Sequence, residues 1–534
     1  MKTKTITLLI AIPLLLSAPT HAESAKGIVF DDANKNRILD PGEKGIPDVL
    51  VSNGEAVVKT NAVGQYQLEV DNDTILFVIQ PSGWQVPSNE QNLPQYYYIH
   101  KPEGSPNNLK YKGVAPTGPL PESVNFPLNK IKHNDKFSFF AFGDPQPYST
   151  EDVDYFHRDI VEQAKHEKTP VAGVYLGDIV GDDLDLFENM NASTAQMGRP
   201  WWHVYGNHDM NFDVTDPEHA DETFERFYGP ATFAFEIGNV LFIGLDNVIY
   251  PNHITDYEYI GGFTDKQLTF IENLLSKTPS DRLVVTMTHI PFYNTGTPDT
   301  IVDEHRDRFF ALFKNHKYTF SISAHTHTQN HVFFDQKEYK HWPHKDTPHH
   351  HYNVGASCGS WWTGVKDKRG IPEATMSDGT PNGYAILHFD DNQYSYTYRV
   401  ANGPKEKVMN VYAPVTAPQQ GPWGYAMLSV NFYNGTEDTK VEYRVNKGEW
   451  KKLSKVDMTD PEYTYKRLSR DKLQTGQPTS EPLPYPTISS HIWTTHLPTT
   501  LEIGEYEVDV RVTDRFGRVF KESTSYKITK GDRY

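Results

Sequence analysis

The sequence predicts an α/β domain set between two all-β sandwich domains, and three observations carry that assignment. Short β-branched or aromatic runs alternate with helix-period segments between residues 135 and 402. Period-two alternation dominates residues 23–130 and returns over 408–534. The central apolar runs end, one after another, in a carboxylate, amide or imidazole. Strand-helix alternation is the pattern of a sheet covered by helices, and isolated period-two runs that of sandwich strands.

In chain order, residues 1–22 read as a secretory signal. Lys2 and Lys4 precede an apolar run from Ile6 to Ala18, and a small-residue cleavage site ends at Ala22. That run is too short for about 30 Å of hydrocarbon, and it holds Pro13. The expected mature chain begins near Glu23, has no transmembrane segment, and is periplasmic or secreted. No cysteine follows the apolar run, so lipid attachment is not expected.

Residues 23–130 contain VLVSNG, AVVKTN, GQYQLEV and TILFVIQPSGW, alternating runs punctuated by glycine or asparagine, as in a small β-sandwich. Within them DDANKNRILDPGE places Asp32, Asn34, Asn36, Asp40 and Glu43 at the spacing of a calcium-binding loop. Arg37 stands where such loops carry glycine, and no helix pattern flanks the stretch. A structural calcium site and an acidic, solvated turn both remain open on sequence alone. HKPEGSPNNLKYKGVAPTGPLPES then reads as a connector.

Between 135 and 402 the runs FSFFAFGD, VAGVYLGD, WWHVYGN, VLFIGLDN, LVVTMTHIPF and YTFSISAH alternate with YFHRDIVEQAKHE, DKQLTFIENLLSK and DEHRDRFFALFKN. After 408, YAMLSVNFYN, KVEYRVNKGEW and YEVDVRVTDRFGRVF restore period two.

Composition narrows the function. The chain has 69 acidic against 51 basic residues, a net charge of −18, and loses two lysines with the leader. Such a field repels polyanions, which argues against nucleic-acid polymers and anionic membranes. A small phosphorylated substrate is still accommodated, because bound cations reverse the local sign. The single cysteine, Cys358, allows no internal disulfide and in GASCGS reads as a small buried residue.

The chemistry sits at the strand ends: Asp144 and Gln146 in FGDPQ, Asp178 in LGDIVGDD, Asn207, His208 and Asp209 in YGNHD, His289 in MTHIPF, His325 and His327 in SAHTHTQ. Ligands bind beyond the carboxyl ends of strands in α/β sheets. A mixed oxygen and nitrogen donor set without thiolate suits Mn, Fe or Zn.

These segments, in this order, resemble the calcineurin-like metallophosphoesterase signature D-x-H, GD-x-x, GNH-[DE], H, GH-x-H. GASCGSWWTG, GIPEATMSDGTPNGYAI and SSHIWTTHLPTTLEIGEYEVDVRVTDRFGR extend the likeness to a bacterial branch with extra β-domains at both ends; the calcium-like loop is similar to B-type repeats of surface proteins. The resemblance implies a central β-sandwich flanked by helices and a two-metal phosphoesterase acting on a phosphate mono- or diester. It implies one metal on Asp144, Gln146, Asp178 and His327, and a second on Asp178, Asn207, His289 and His325. The implied nucleophile is a hydroxide bridging cations about 3.5–4 Å apart, with His208 as general acid oriented by Asp209. Gln146 departs from the family's histidine and is a weaker donor. Asp182 has no role in this scheme. The alternative is an envelope binding or structural protein whose central domain has little activity.

Further residues carry two readings. Trp361 and Trp362 are expected as an aromatic substrate wall or as packing under a loop. Asp378, Asn382 and Tyr384 in SDGTPNGY are read as a tight turn and then a pocket rim. His341, His344, His349, His350 and His351 are expected in a solvated loop rather than as metal or phosphate contacts.

Overall fold

The computed structural model describes residues 23–253, 255, 257–419, 426–472 and 481–530. The expected signal at 1–22 lies outside them. No helix among the described residues is long and apolar enough to cross a membrane.

The central region is built on two packed sheets. In the first, Trp201–Val204, Pro170–Leu176 and Lys136–Phe142 run parallel, and Gly383–Asp390 and Gln393–Val400 extend the sheet antiparallel. In the second, Val240–Gly244, Leu283–Met287, Thr319–Ser323 and His349–Val354 are parallel, with Phe233–Ile237 and Gln329–Phe334 as antiparallel edges. KFSFFAF explains why the first sheet is covered on both faces. Phe137, Phe139 and Ala141 point into the layer between the sheets, where Phe139 stacks on Phe242 at 4.9 Å. Phe140 and Phe142 point the other way, onto Trp201, Tyr175 and Tyr384. A strand buried on both faces reads as one apolar run.

The helix-period segments form helices at Thr150–Phe156, Asp265–Leu275 and Asp303–Ala311. Thr264 and Gln267 close a reciprocal capping box on the second. The first passes into a wider turn at His157–Val161.

At the N-terminal end, two four-stranded sheets begin with Glu23–Asp31. They join the centre where Gln80 bridges Phe235 and where Lys101 meets Asp73, Glu222 and Glu225. At the C-terminal end, Ala426–Phe432 and Ile488–Leu497 lie in one sheet, and Gly504–Thr513 and Val519–Thr529 in another. A helix at Pro461–Lys472, invisible to the period-two reading, interrupts them.

The expected His-rich solvated loop is corrected in its second half. His349–Val354 is an interior strand, and His349, His350 and His351 are buried. Neighbouring side chains satisfy the rings: Ser321 and Thr319 bond His349, Ser321 and Ser323 bond His351, and Tyr394 and His331 bond His350. Buried imidazole is tolerated once its nitrogens are paired. His341 is exposed, as expected.

Candidate metal centre

Five parallel strands from the two sheets end at one edge, and their following turns supply the donors. Asp144 and Gln146 follow Lys136–Phe142, Asp178 follows Pro170–Leu176, and Asn207 follows Trp201–Val204. His289 follows Leu283–Met287, and His325 and His327 follow Thr319–Ser323. The turns are tight. Asp144, Gln146, Asp178, His325 and His327 all hold positive φ, between 35° and 72°. Non-glycine residues carry that strain where a site requires it. Gly177, at φ 89°, passes so close to His289 that a Cβ would lie 2.4 Å from its Nδ1.

The donors present lone pairs to one another. His289 Nδ1 donates to the Leu176 carbonyl at 2.8 Å, which turns Nε2 inward. Nε2 lies 2.8 Å from Asn207 Oδ1, 3.3 Å from Asp178 Oδ1 and 3.2 Å from His325 Nδ1. The opposite nitrogen of His325 donates to Asp299 Oδ2 at 3.0 Å. His327 Nδ1 donates to the Gly359 carbonyl at 2.6 Å, leaving Nε2 3.8 Å from Asp144 Oδ1. Gln146 Nε2 donates to the Tyr148 hydroxyl, while its Oε1 is buried without a partner. Carboxylate and amide oxygens and imidazole nitrogens converging on one point fit cations, which would displace the protons held there. Imidazoles fixed from behind by carbonyl or carboxylate are the usual support of metal-ligating histidine.

Charge agrees. Burial raises the Asp144 carboxyl to about 8, against the pull of His289. Burial also opposes ionisation of Asp178, yet His289 and His208 outweigh it and hold that carboxyl below the usual range.

The GNHD turn differs from expectation. Asp209 does not touch the His208 ring. Its carboxylate accepts the backbone N–H groups of Ile179, Val180 and Gly206 at 2.9–3.2 Å, and burial raises it well above an ordinary carboxyl. Asp182 takes the expected place, its Oδ1 2.6 Å from His208 Nδ1. Burial would lower the His208 pKa, but Asp178 and Asp182 raise it to about 9. Nothing in GDIVGDD marks Asp182 for this contact, because it depends on how two turns cross.

A cavity of about 550 Å³ opens over the donors and includes Gln146, Asp178, Asn207, His208, His325, His327 and Trp361 in its lining. Trp361 is 43% exposed and stacks on His327 with centroids 4.3 Å apart. The other expected rim residues stand apart. Trp362 is buried and donates to the Pro145 carbonyl. Asp378 is buried against the Gln329 N–H and His491, Asn382 donates to Asp159 and Ser357, and Tyr384 packs on Phe140 and Phe142. Buried neighbours claim the polar groups of Trp362, Asp378 and Asn382. Cys358 is buried as expected, its Sγ 3.7 Å from His327 Nδ1. Asp299 and Tyr259, which meet at 3.0 Å beside His325, had no sequence signal. The calcium-like loop folds on itself, Asn34 and Asn36 donating to Asp40 and Glu43 accepting the Ala33 N–H.

Comparison with known families agrees with this geometry. Residues 137–329 match the calcineurin-like phosphoesterase family, 32–115 the N terminal of calcineurin-like phosphoesterase, and 351–520 the C terminal of calcineurin-like phosphoesterase. The chain belongs to the calcineurin-like phosphoesterase family. As a calcineurin-like phosphoesterase it is a metal-dependent enzyme. Among solved structures, a dimetal phosphatase from Danio rerio aligns over 50% of this chain and 97% of its own at 14% identity and TM-score 0.35. A purple acid phosphatase from yellow lupin (Lupinus luteus) aligns over 67% of each chain at 11% identity and TM-score 0.35. No curated protein gives a significant match.

Proposed function

We propose that this calcineurin-like phosphoesterase is an exported two-metal enzyme hydrolysing a phosphate mono- or diester, with His208 as general acid. The observation that carries the reading is the meeting of His289 Nε2, His325 Nδ1, Asn207 Oδ1 and Asp178 Oδ1 beside the His208 imidazole. Asp144, Gln146, Asp178 and His327 would hold one cation, and Asp178, Asn207, His289 and His325 the other, Mn, Fe or Zn suiting these donors. When bound, such a pair supplies Lewis acidity at the phosphoryl oxygens and an activated water.

The chain's own contribution is positioning and proton transfer. Asp178 accepts the His208 backbone N–H at 2.9 Å, fixing the histidine over the centre. Asp182 engages Nδ1, which leaves the Nε2 proton for the departing oxygen. His208 is part-exposed, so solvent can return that proton. Export is supported by the leader-like sequence of residues 1–22.

The test is hydrolysis of p-nitrophenyl phosphate and bis(p-nitrophenyl) phosphate by purified protein loaded with Mn. Turnover that a chelator abolishes and Mn restores is expected. Metal binding without turnover of either ester would instead support the binding or structural protein.

A further inference from the structure

The C-terminal β-region forms part of the cavity over the metal centre. Thr487, Ile488 and Ser490 line it together with Ser377 and the central turns. Hydrogen bonds hold this wall in place: the Ser490 hydroxyl donates to Asn330 Oδ1 at 3.0 Å, and the Ser377 and Thr487 hydroxyls meet at 2.8 Å.

The wall has a distinct chemistry. Asn294, Thr297, Asn330, Ser377, Thr487 and Ser490 bring neutral hydroxyl and amide groups, and no lysine or arginine is among the described lining residues. Asp299, also in the lining, holds His325 and Tyr259 through Oδ2. Opposite stands the exposed ring of Trp361. A polyphosphate or carboxylate arm would find no lysine or arginine here, the one raised histidine, His208, standing over the metal centre and away from the wall's hydroxyls and amides. A long acyl arm would strip water from hydroxyls and amides without replacing their hydrogen bonds. A hydroxyl-rich neutral group satisfies both conditions, with the tryptophan face as a platform for its C–H surface.

A second groove of about 680 Å³ runs along the other side of Trp361, between Tyr148, Tyr155, Trp362 and Pro484. Its Tyr148 packs edge-on to His208 at 6.2 Å. Trp361 lines both cavities, which offers a separate place for a substituent on each of two ester oxygens.

Resting on the phosphoesterase reading above, we propose that the substrate is a phosphodiester with one neutral polyhydroxylated arm, a sugar or polyol, seated against the C-terminal wall. In its hydrolysis a water oxygen bonds to phosphorus, and the bond from phosphorus to one alcohol oxygen breaks with its electron pair on that oxygen. His208 Nε2 protonates it, and the water's proton passes to solvent, from which His208 is recharged. The products are the free alcohol and a phosphomonoester of the other arm.

The experiment uses Mn-loaded full-length protein and diesters sharing a p-nitrophenolate leaving group. The second arm is varied among glucos-6-yl, glyceryl, methyl, hexyl, carboxymethyl and choline, with p-nitrophenyl phosphate as the monoester. The hydroxyl-rich arms should exceed the methyl arm in kcat/KM by about tenfold or more, since a site built to hydrogen-bond hydroxyls discriminates against ligands lacking them. The glucosyl and glyceryl arms distinguish sugar from polyol. Ser490→Val and Asn330→Leu, checked for an unchanged melting transition, should shrink the glucosyl-to-methyl ratio. Equal rates for glucosyl and methyl arms, or a preference for the carboxymethyl, hexyl or monoester substrate, would overturn the proposal while the phosphoesterase reading stands. Failure to hydrolyse every ester, the monoester included, would overturn both.

Discussion

His208 is paired with Asp182, 2.6 Å away on a different turn, and not with Asp209, its neighbour in the chain. The two aspartates therefore have separable jobs. Asp182 is half exposed and faces the imidazole, whereas Asp209 is fully buried and ties the 179–180 and 206 backbones together.

Asp182→Asn should leave metal content and melting temperature near wild type while slowing alkyl ester hydrolysis about tenfold, with little effect on aryl esters. Asp209→Ala strands three buried N–H groups, each costing about 1–3 kcal/mol, and should lower the melting temperature sharply. Calorimetry and rates on paired alkyl and aryl esters separate the outcomes. Equal thermal loss in the two variants would contradict this division.

His208→Ala should retain both metals and lose roughly 10²–10⁴-fold in turnover on esters with basic leaving groups. Less is lost on aryl phosphates, whose leaving group needs little protonation. His325→Ala removes an imidazole that faces His289 Nε2 at 3.2 Å, so metal content should fall and all substrates slow alike. Elemental analysis beside the two rate series decides; metal loss in His208→Ala would refute the assignment.

Gln146 is the place to look for uneven metal retention. Its unpartnered buried Oε1 is the weak donor of the set. Brief dialysis against chelator should remove one metal ahead of the other, and Gln146→His should slow that loss. Simultaneous release of both metals from wild type and variant would argue against Gln146 as a ligand.

For the N-terminal loop, Asp40 gathers Asn34 and Asn36, and Asp32 accepts the N–H groups of Asn36 and Arg37. Calcium should raise the melting temperature, by about 2.7 kcal/mol of added stability at a hundredfold excess over Kd, and leave turnover unchanged. A melting curve indifferent to calcium returns the stretch to an acidic turn.

Acid should draw stability from the buried histidine rings, against the buried carboxyls such as Asp246, which burial raises to about 8. Burial lowers His203 and His349 to about 3 from the ordinary 6.5, and holds His331, His350 and His351 well below 6.5. Between those values the unfolded chain binds protons that the folded chain refuses. The stability that an isolated ring such as His203 contributes is therefore present above pH 6.5 and is lost as pH falls below it, by about 1.4 kcal/mol per pH unit. His203 stacks on Tyr228 at 3.9 Å with Nε2 unpartnered. His203→Phe should flatten the pH dependence of the melting temperature between pH 6.5 and 4.5; an unaltered slope would count against the argument.

Much of this protein was legible in one dimension, for local physical reasons. Apolar runs such as FSFFAF and VAGVYL declared strands covered on both faces, and the polar residues ending them marked one catalytic edge. The capping box at Thr264 and Gln267 is likewise a contact between residues three apart. Tertiary structure decided what depends on residues distant in sequence. HHHY looks like a solvated loop until Thr319, Ser321 and Ser323 on a neighbouring strand pair its rings. SDGTPNGY looks like a rim until His491, from 113 residues away, meets Asp378 in the interior. Asp182 has no motif, because its contact with His208 arises where two turns cross, and Thr487 and Ser490 reach the cavity only because the C-terminal sheet docks beside it. Periodicity reports which face of an element is buried; which distant side chain it meets there is set by how the sheets and turns pack.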